Sequence, residues 1–189
     1  HAHSLEECGA RVEMVEADIR NRDELRRAFE GVDWVFHQAA QAGVRASWGD
    51  SFRTYTDNNI LGAQRLLEAV RQAGSAGNGK VSRIVYASSS SIYGEAEEAR
   101  TPEDATPRPI SPYGVSKLAA EHLGHLYWKQ FGLPVVSLRY FTVYGPRQRP
   151  DMAFNRFLRA MASDEPISLY GDGEQTRDFT FVRDAVAAT

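Results

Sequence analysis

"VSRIVYASSSSIYG", residues 81–94, decides the fold. Val81 to Ala87 is a short run rich in branched residues, the composition of a buried strand. It ends in four serines, Ser88 to Ser91. In an open α/β sheet the carboxyl ends of the strands carry the chemistry, so hydroxyls gathered there read as site material. Working outward, strand-like runs alternate with helical stripes. "RVEMVEA" (11–17) reads as a short strand, and "NRDELRRAFEG" (21–31) as a helix closed by Gly31. "DWVFHQAA" (33–40) is an apolar run of strand length. Residues 52–74 carry apolar side chains at 60, 63, 66, 67 and 70, a helical stripe, and 75–80 form a loop. "EAEEARTPEDATPRP" (95–109) is acidic and proline-rich, a surface excursion. A helix is expected over about 112–131, a strand over 134–145, a helix near 153–163, a short strand at 167–171 and a helix after Asp184. Alternation of helices with continuous apolar strands indicates an α/β fold with a parallel sheet covered on both faces.

The 189 residues suffice for one domain with a sizeable core. Charged residues are 25% and the net charge is −3, which gives no reason to invoke nucleic acid or an anionic membrane surface. No apolar run approaches the ~18 residues of a membrane span, and the start lacks signal-peptide organisation. Cys8 is the only cysteine, so a reducing, cytoplasmic setting is the default. The chain starts at His1 within what reads as a helix, and ends just after a helix begins. It is expected to be an internal piece of a longer protein, truncated at both ends.

"ISPYGVSKLAAEHL" (110–123) places a phenol and an ammonium one helical turn apart at the start of a helix. Ser111 suits the N-cap and Pro112 the first helical position. Tyr113 falls in the first turn, where the dipole favours negative charge, and Lys117 follows at i+4 on the same face. A nearby cation typically lowers an acid's pKa by ~1–3 units, so the spacing predicts a phenol drawn towards the phenolate, a general base. Alone, this spacing is short and common. It occurs here with the serine-ended strand, with "FHQAAQAGV" (36–44), a strand running into small residues that admit a flat ligand, and with "NNILGAQRLLEA" (58–69).

In that order the motifs resemble the extended short-chain dehydrogenase/reductases, specifically the nucleotide-sugar epimerases and dehydratases. The resemblance runs from about residue 11 to the end and implies a Rossmann-like, doubly wound sheet with NAD as cofactor. It places Asp18 and Ile19 beside the adenine, Ala39, Ala40 and Gln41 against the cofactor, and Asn59 near the site. Ser89 matches the catalytic hydroxyl, with Ser88 its neighbour. Tyr113 matches the base, and Lys117 its partner on the nicotinamide ribose. Tyr140 and Phe141 match the segment beside nicotinamide and sugar, and Arg177 in "GDGEQTRDFTFVRD" the pyrophosphate clamp. The family's glycine-rich loop is missing, as is about the last third of a full-length enzyme. Residues 1–146 are therefore expected to be a partial NAD-binding domain and 147–189 the start of the nucleotide-sugar region. The piece alone is expected to be inactive.

The family's dehydratases carry Asp-Glu after the catalytic hydroxyl, where Ser90 and Ser91 stand here. A hydroxyl is no base of useful pKa, so the reading is 4-epimerisation of a UDP-sugar through a 4-keto intermediate. "TVYGPRQRPDMA" (142–153) resembles UDP-glucuronate 4-epimerases, in which Thr142 and Arg149 face the sugar carboxylate, a group an Arg fork matches bidentately. Ser90, Arg45 and Ser47 are further candidates for the sugar pocket. The alternative is UDP-glucose or UDP-N-acetylglucosamine as substrate; a dehydratase, a decarboxylase or a non-catalytic nucleotide-binding member stands behind both. His122 and His125 beside Glu121 read as a solvated helix face, and no metal is expected. In the family the helices at 52–74 and 112–131 pair with a second subunit, which implies a homodimer.

Overall fold

The computed structural model describes residues 12–75, 81–95, 100–169, 171–174 and 176–189. Cys8, the first residue of the expected strand at 11–17, most of the loop at 75–80, residues 96–99, Tyr170 and Gln175 lie outside them. Three parallel strands form the main sheet in the order β1 (Trp34–His37), β2 (Arg83–Ala87), β3 (Val135–Leu138). Helix α1 (Arg22–Ala28) precedes β1. The crossover from β1 to β2 runs through α2 (Phe52–Tyr55), a π-helical turn (Thr56–Leu61) and α3 (Gly62–Ser75). Helix α4 (Pro112–Phe131) carries the chain from β2 to β3. Register aligns Val35, Ile84 and Val135 in one row and His37, Tyr86 and Ser137 in another. Side chains alternate along strands, so both rows share the face that meets the helices. Leu25 of α1, Leu66, Leu67 and Val70 of α3, and Tyr127 of α4 close over Val35 and Ile84. Burying each such large aliphatic side chain stabilises the fold by about 1.5–3 kcal/mol.

The α/β class and the parallel pairing are as the pattern predicts; the details differ in four places. Among the described residues, helices cover one face of the main sheet, while Trp34, Phe36 and Val136 on the other are exposed. Residues 12–17 form no strand: among the described residues no neighbouring strand offers their peptide groups a ladder, and Val12, Met14 and Val15 lie exposed. The expected strand at 134–145 is two strands in two sheets. It leaves the main sheet after Leu138, and β4 (Thr142–Tyr144) pairs in parallel with β5 (Phe179–Phe181). The bend is held by the Ser88 and Ser90 amides, which donate to Leu138 O (2.8 Å) and Tyr140 O (2.9 Å). Residues 167–169 are irregular, with Ile167 and Leu169 exposed. Helix α5 (Ala153–Ala162) follows β4, and α6 (Val182–Ala188) starts directly after β5, two residues before Asp184.

Helix α4 has the ends its sequence predicts. Ser111 Oγ accepts from the Gly114 amide (3.1 Å), Pro112 takes the first position, and Gly132 closes the helix at φ 67°. Gly114 has a further use: a Cβ there would meet Ser91 O at 2.4 Å, so only glycine lets the serine turn pack against the first turn of α4.

Candidate active site

Three elements converge at the carboxyl end of β2: the serine turn, the first two turns of α4 and the π-helical turn. Tyr113 is half-buried, edge-on to the Tyr55 ring (6.2 Å, 77°). Tyr55 is itself fixed by donating to Gly43 O (2.8 Å). Ser89 Oγ donates to Ser91 Oγ (3.1 Å) and accepts from the Ser91 amide (3.2 Å), and it lies near enough to the Tyr113 phenol to act on its pKa. Burial pushes the phenol's pKa up; Ser89 and the charge of Arg149 act against it. This corrects the expectation of a phenol lowered by Lys117. Spacing puts the two on one helix face, but the Lys117 ammonium lies over the Tyr86 ring, 4.6 Å from its centroid. Lys117 is 2% exposed, and burial pulls it down to about 8.

His37 lies on the far side of this group, its ring tilted at 38° to that of Tyr86 with centroids 5.4 Å apart. Burial, helped by the Lys117 charge, holds its pKa down to about 4. An unfolded chain takes up the proton near 6.5. Between pH 6.5 and about 4 the unfolded state therefore binds more protons, and stability should fall on acidification through that window, by about 3 kcal/mol. Urea unfolding at pH 7 and 4.5 checks this; a His37→Gln variant should show a smaller decline.

Asn59 points inward. Its side chain accepts from the Gln41 amide (2.7 Å), donates to Gln41 O (3.0 Å) and donates to Ser116 Oγ (2.9 Å), which in turn donates to Tyr113 O (2.7 Å). It thus ties the Ala39–Gln41 segment to the first turns of α4. Asn58, its neighbour in the π-helical turn, lines a groove with Asp18, Ile19, Ala39, Ala40 and Gln41. Ile19 packs where a Cβ on Gly62 would intrude at 2.6 Å. Arg20 beside Asp18 lowers that carboxyl to about 2. Ser88 Oγ is buried and has no hydrogen-bond partner among the described residues.

A second cleft, of about 900 Å³, is lined by Ser90, Ser91, Tyr93, Phe141, Thr142 and Arg177, with Val44 at its rim. It brings together four of the expected sugar residues, Ser90, Phe141, Thr142 and Arg177. Others stand apart. Ser47 is fully buried and donates to Val44 O (2.6 Å), holding a turn in which Arg45 is exposed. The Tyr140 ring lines an apolar cavity with Phe36 and Val186, its hydroxyl 2.6 Å from Thr189 Oγ1. Arg149 is near enough to act on Tyr113, yet its fork holds Asp151, Nε to Oδ1 at 3.0 Å and Nη2 to Oδ2 at 2.8 Å. Among the described residues no group of three or more His, Cys, Asp or Glu gathers to hold a metal, and no helix is long and apolar enough to cross a membrane.

Compared with known proteins, residues 2–189 match the NAD dependent epimerase/dehydratase family. The chain belongs to this family. It is 48% identical over 163 residues to the uncharacterized UDP-glucose epimerase YtcB of Bacillus subtilis (strain 168), covering 86% of this chain and 49% of that protein. It is 40% identical over 174 residues to the UDP-glucuronate 4-epimerase of Thermodesulfobacterium geofontis (strain OPF15), covering 91% and 52%. The crystal structure of the UDP-glucuronic acid 4-epimerase from Bacillus cereus, in complex with UDP-glucuronic acid and NAD, superposes at a TM-score of 0.88 with 45% identity, over 98% of this chain and 57% of that one. The chain spans about half the length of the curated relatives it matches.

For this member of the epimerase family, the motifs pass over Asn58 and Val44, both of which line a groove or cleft. Asn58 sits beside Asn59, which the motifs do single out. A signal existed for it as the neighbour of a site residue, but not for which of the two lines the groove.

Proposed function

We propose that the full-length protein inverts C4 of a UDP-sugar with NAD as cofactor, and that the sugar is UDP-glucuronate, yielding UDP-galacturonate. The residues present fit the dinucleotide. Ala39 and Ala40 leave room for a flat group, Gln41 and Asn58 offer amides, and Ser88 Oγ is a buried hydroxyl in need of a partner. NAD, when bound, supplies the acceptor and then the donor of the C4 hydride. Tyr113 removes the proton of the sugar's 4-OH and later returns one, with the nearby Ser89 hydroxyl to share it. Because burial favours the neutral phenol, a cation has to draw out the base form; Arg149 acts on Tyr113 in that sense. The cleft at Thr142, Phe141 and Arg177 takes the nucleotide-sugar.

The observation that carries this reading is the cleft lined by Ser90 and Ser91, next to Ser89, whose hydroxyl is joined to that of Ser91. Elimination across C5 and C6 needs an acid and a base at those positions, and hydroxyls are poor at both. Proton NMR and mass spectrometry of the product test it. The expected product has the mass of the substrate with C4 inverted; loss of water or of carbon dioxide in the main product overturns the assignment. A second reading, a neutral sugar such as UDP-glucose or UDP-N-acetylglucosamine, draws on the Arg149–Asp151 pair, which already gives the guanidinium a carboxylate. We also propose a homodimer through the exposed apolar side chains of α2 to α4, among them Phe52, Leu61, Val115 and Leu126. The 189 residues alone are proposed to be inactive.

A further inference from the structure

We propose that Glu121 and Arg139 form a positioning couple that holds the buried Lys117 ammonium charged and ties it to the wall of the sugar cleft. Glu121 lies one helical turn beyond Lys117, on the same face of α4. Its side chain is 10% exposed and takes the whole side edge of the Arg139 guanidinium: Nε to Oε1 at 3.2 Å, Nε to Oε2 at 3.3 Å, Nη2 to Oε2 at 3.0 Å. The remaining nitrogen, Nη1, donates to Tyr93 Oη (2.6 Å) and to Glu103 O (2.7 Å), and the guanidinium carbon sits 5.0 Å from the Tyr93 ring centroid. Tyr93 lines the cleft. One arginine thus joins the catalytic helix, the exit of β3 and the cleft wall.

The charges around Lys117 leave Glu121 a specific task. Tyr86 faces the ammonium from β2 with its ring, and His37 lies beyond it on β1 and is held neutral by burial. On α4 itself Tyr113 is half-buried, its phenol pushed up by burial, and Glu121 is the carboxylate that acts on Lys117. A buried ammonium without an anion tends to lose its proton. Glu121 counters that loss, and Arg139 limits how much of the carboxylate's charge Lys117 receives.

This inference rests on the proposed function for its consequence, not for its test. Lysine ¹³Cε resonances of the full-length protein are titrated, with Lys117 assigned by its loss in Lys117→Met. Glu121→Gln removes the anion and leaves Arg139 unpaired, so the Lys117 midpoint should drop by about one unit. Arg139→Gln frees the Glu121 charge, so the midpoint should rise. Glu121→Asp keeps the charge and should restore the midpoint towards wild type; it also stands in if the Gln variant folds poorly. An unchanged midpoint in Glu121→Gln, or shifts of the same sign in both Gln variants, overturns the couple. Opposite shifts in a protein without epimerase activity would sustain the couple and remove the proposed function instead.

Discussion

Tyr113→Phe in the full-length protein should lower kcat by about 10²–10⁴-fold, the range typical of losing a general acid or base. The nucleotide-sugar dissociation constant should stay near wild type. The substitution deletes one oxygen and keeps the ring that meets Tyr55 edge-on, so the first turn of α4 keeps its packing. Ser89 keeps its bonds with Ser91. What goes is the hydroxyl proposed as the proton acceptor. Because burial raises the phenol, the wild-type rate should climb with pH over the accessible range, and the residual rate of the Phe variant should not. Steady-state rates across pH together with calorimetric binding separate the two. Near-normal turnover by the Phe variant would remove Tyr113 from the chemistry and leave it a packing residue.

The sheet was legible because its strands are unbroken apolar runs, and α4 because Ser111, Pro112 and Gly132 mark both ends. What was not legible depends on partners distant in sequence. "PVVSLRYFTVYG" has a uniform strand composition, and only the arrival of Phe179–Phe181 beside Thr142–Tyr144 shows that it changes sheets. Asn59 and Asn58 are the same residue type in the same turn. Which one faces the groove is set by the π-helical geometry, which no side-chain pattern announces. The Arg139–Glu121 couple spans 18 residues and needs the end of β3 to lie against α4. The Tyr113 phenol was read in the wrong direction because i, i+4 spacing reports proximity, whereas the governing factor is depth of burial.

Arg149→Met should lower kcat/KM for UDP-glucuronate about ten- to a hundredfold more than for UDP-glucose. A hydrogen bond to a charged group is worth ~1.5–3 kcal/mol, and each ~1.4 kcal/mol is tenfold in rate. Thr142 lines the cleft at the start of β4, and the following Gly-Pro turn carries the chain round to Arg149, whose charge acts on Tyr113. The guanidinium holds Asp151, but that pair is solvent-exposed, 47% and 67%, and exposed pairs are worth only about 0–1 kcal/mol. A substrate carboxylate can therefore take the fork from Asp151 at little cost. Because Arg149 also eases Tyr113 towards its base form, part of the loss should fall on both substrates alike. The informative quantity is the ratio of the two losses. A ratio near one would mean that Arg149 serves Tyr113 alone and does not read the sugar. A wild-type enzyme preferring UDP-glucose outright would place the protein with the neutral-sugar epimerases, and the Asp151 carboxylate would then be the permanent partner of Arg149.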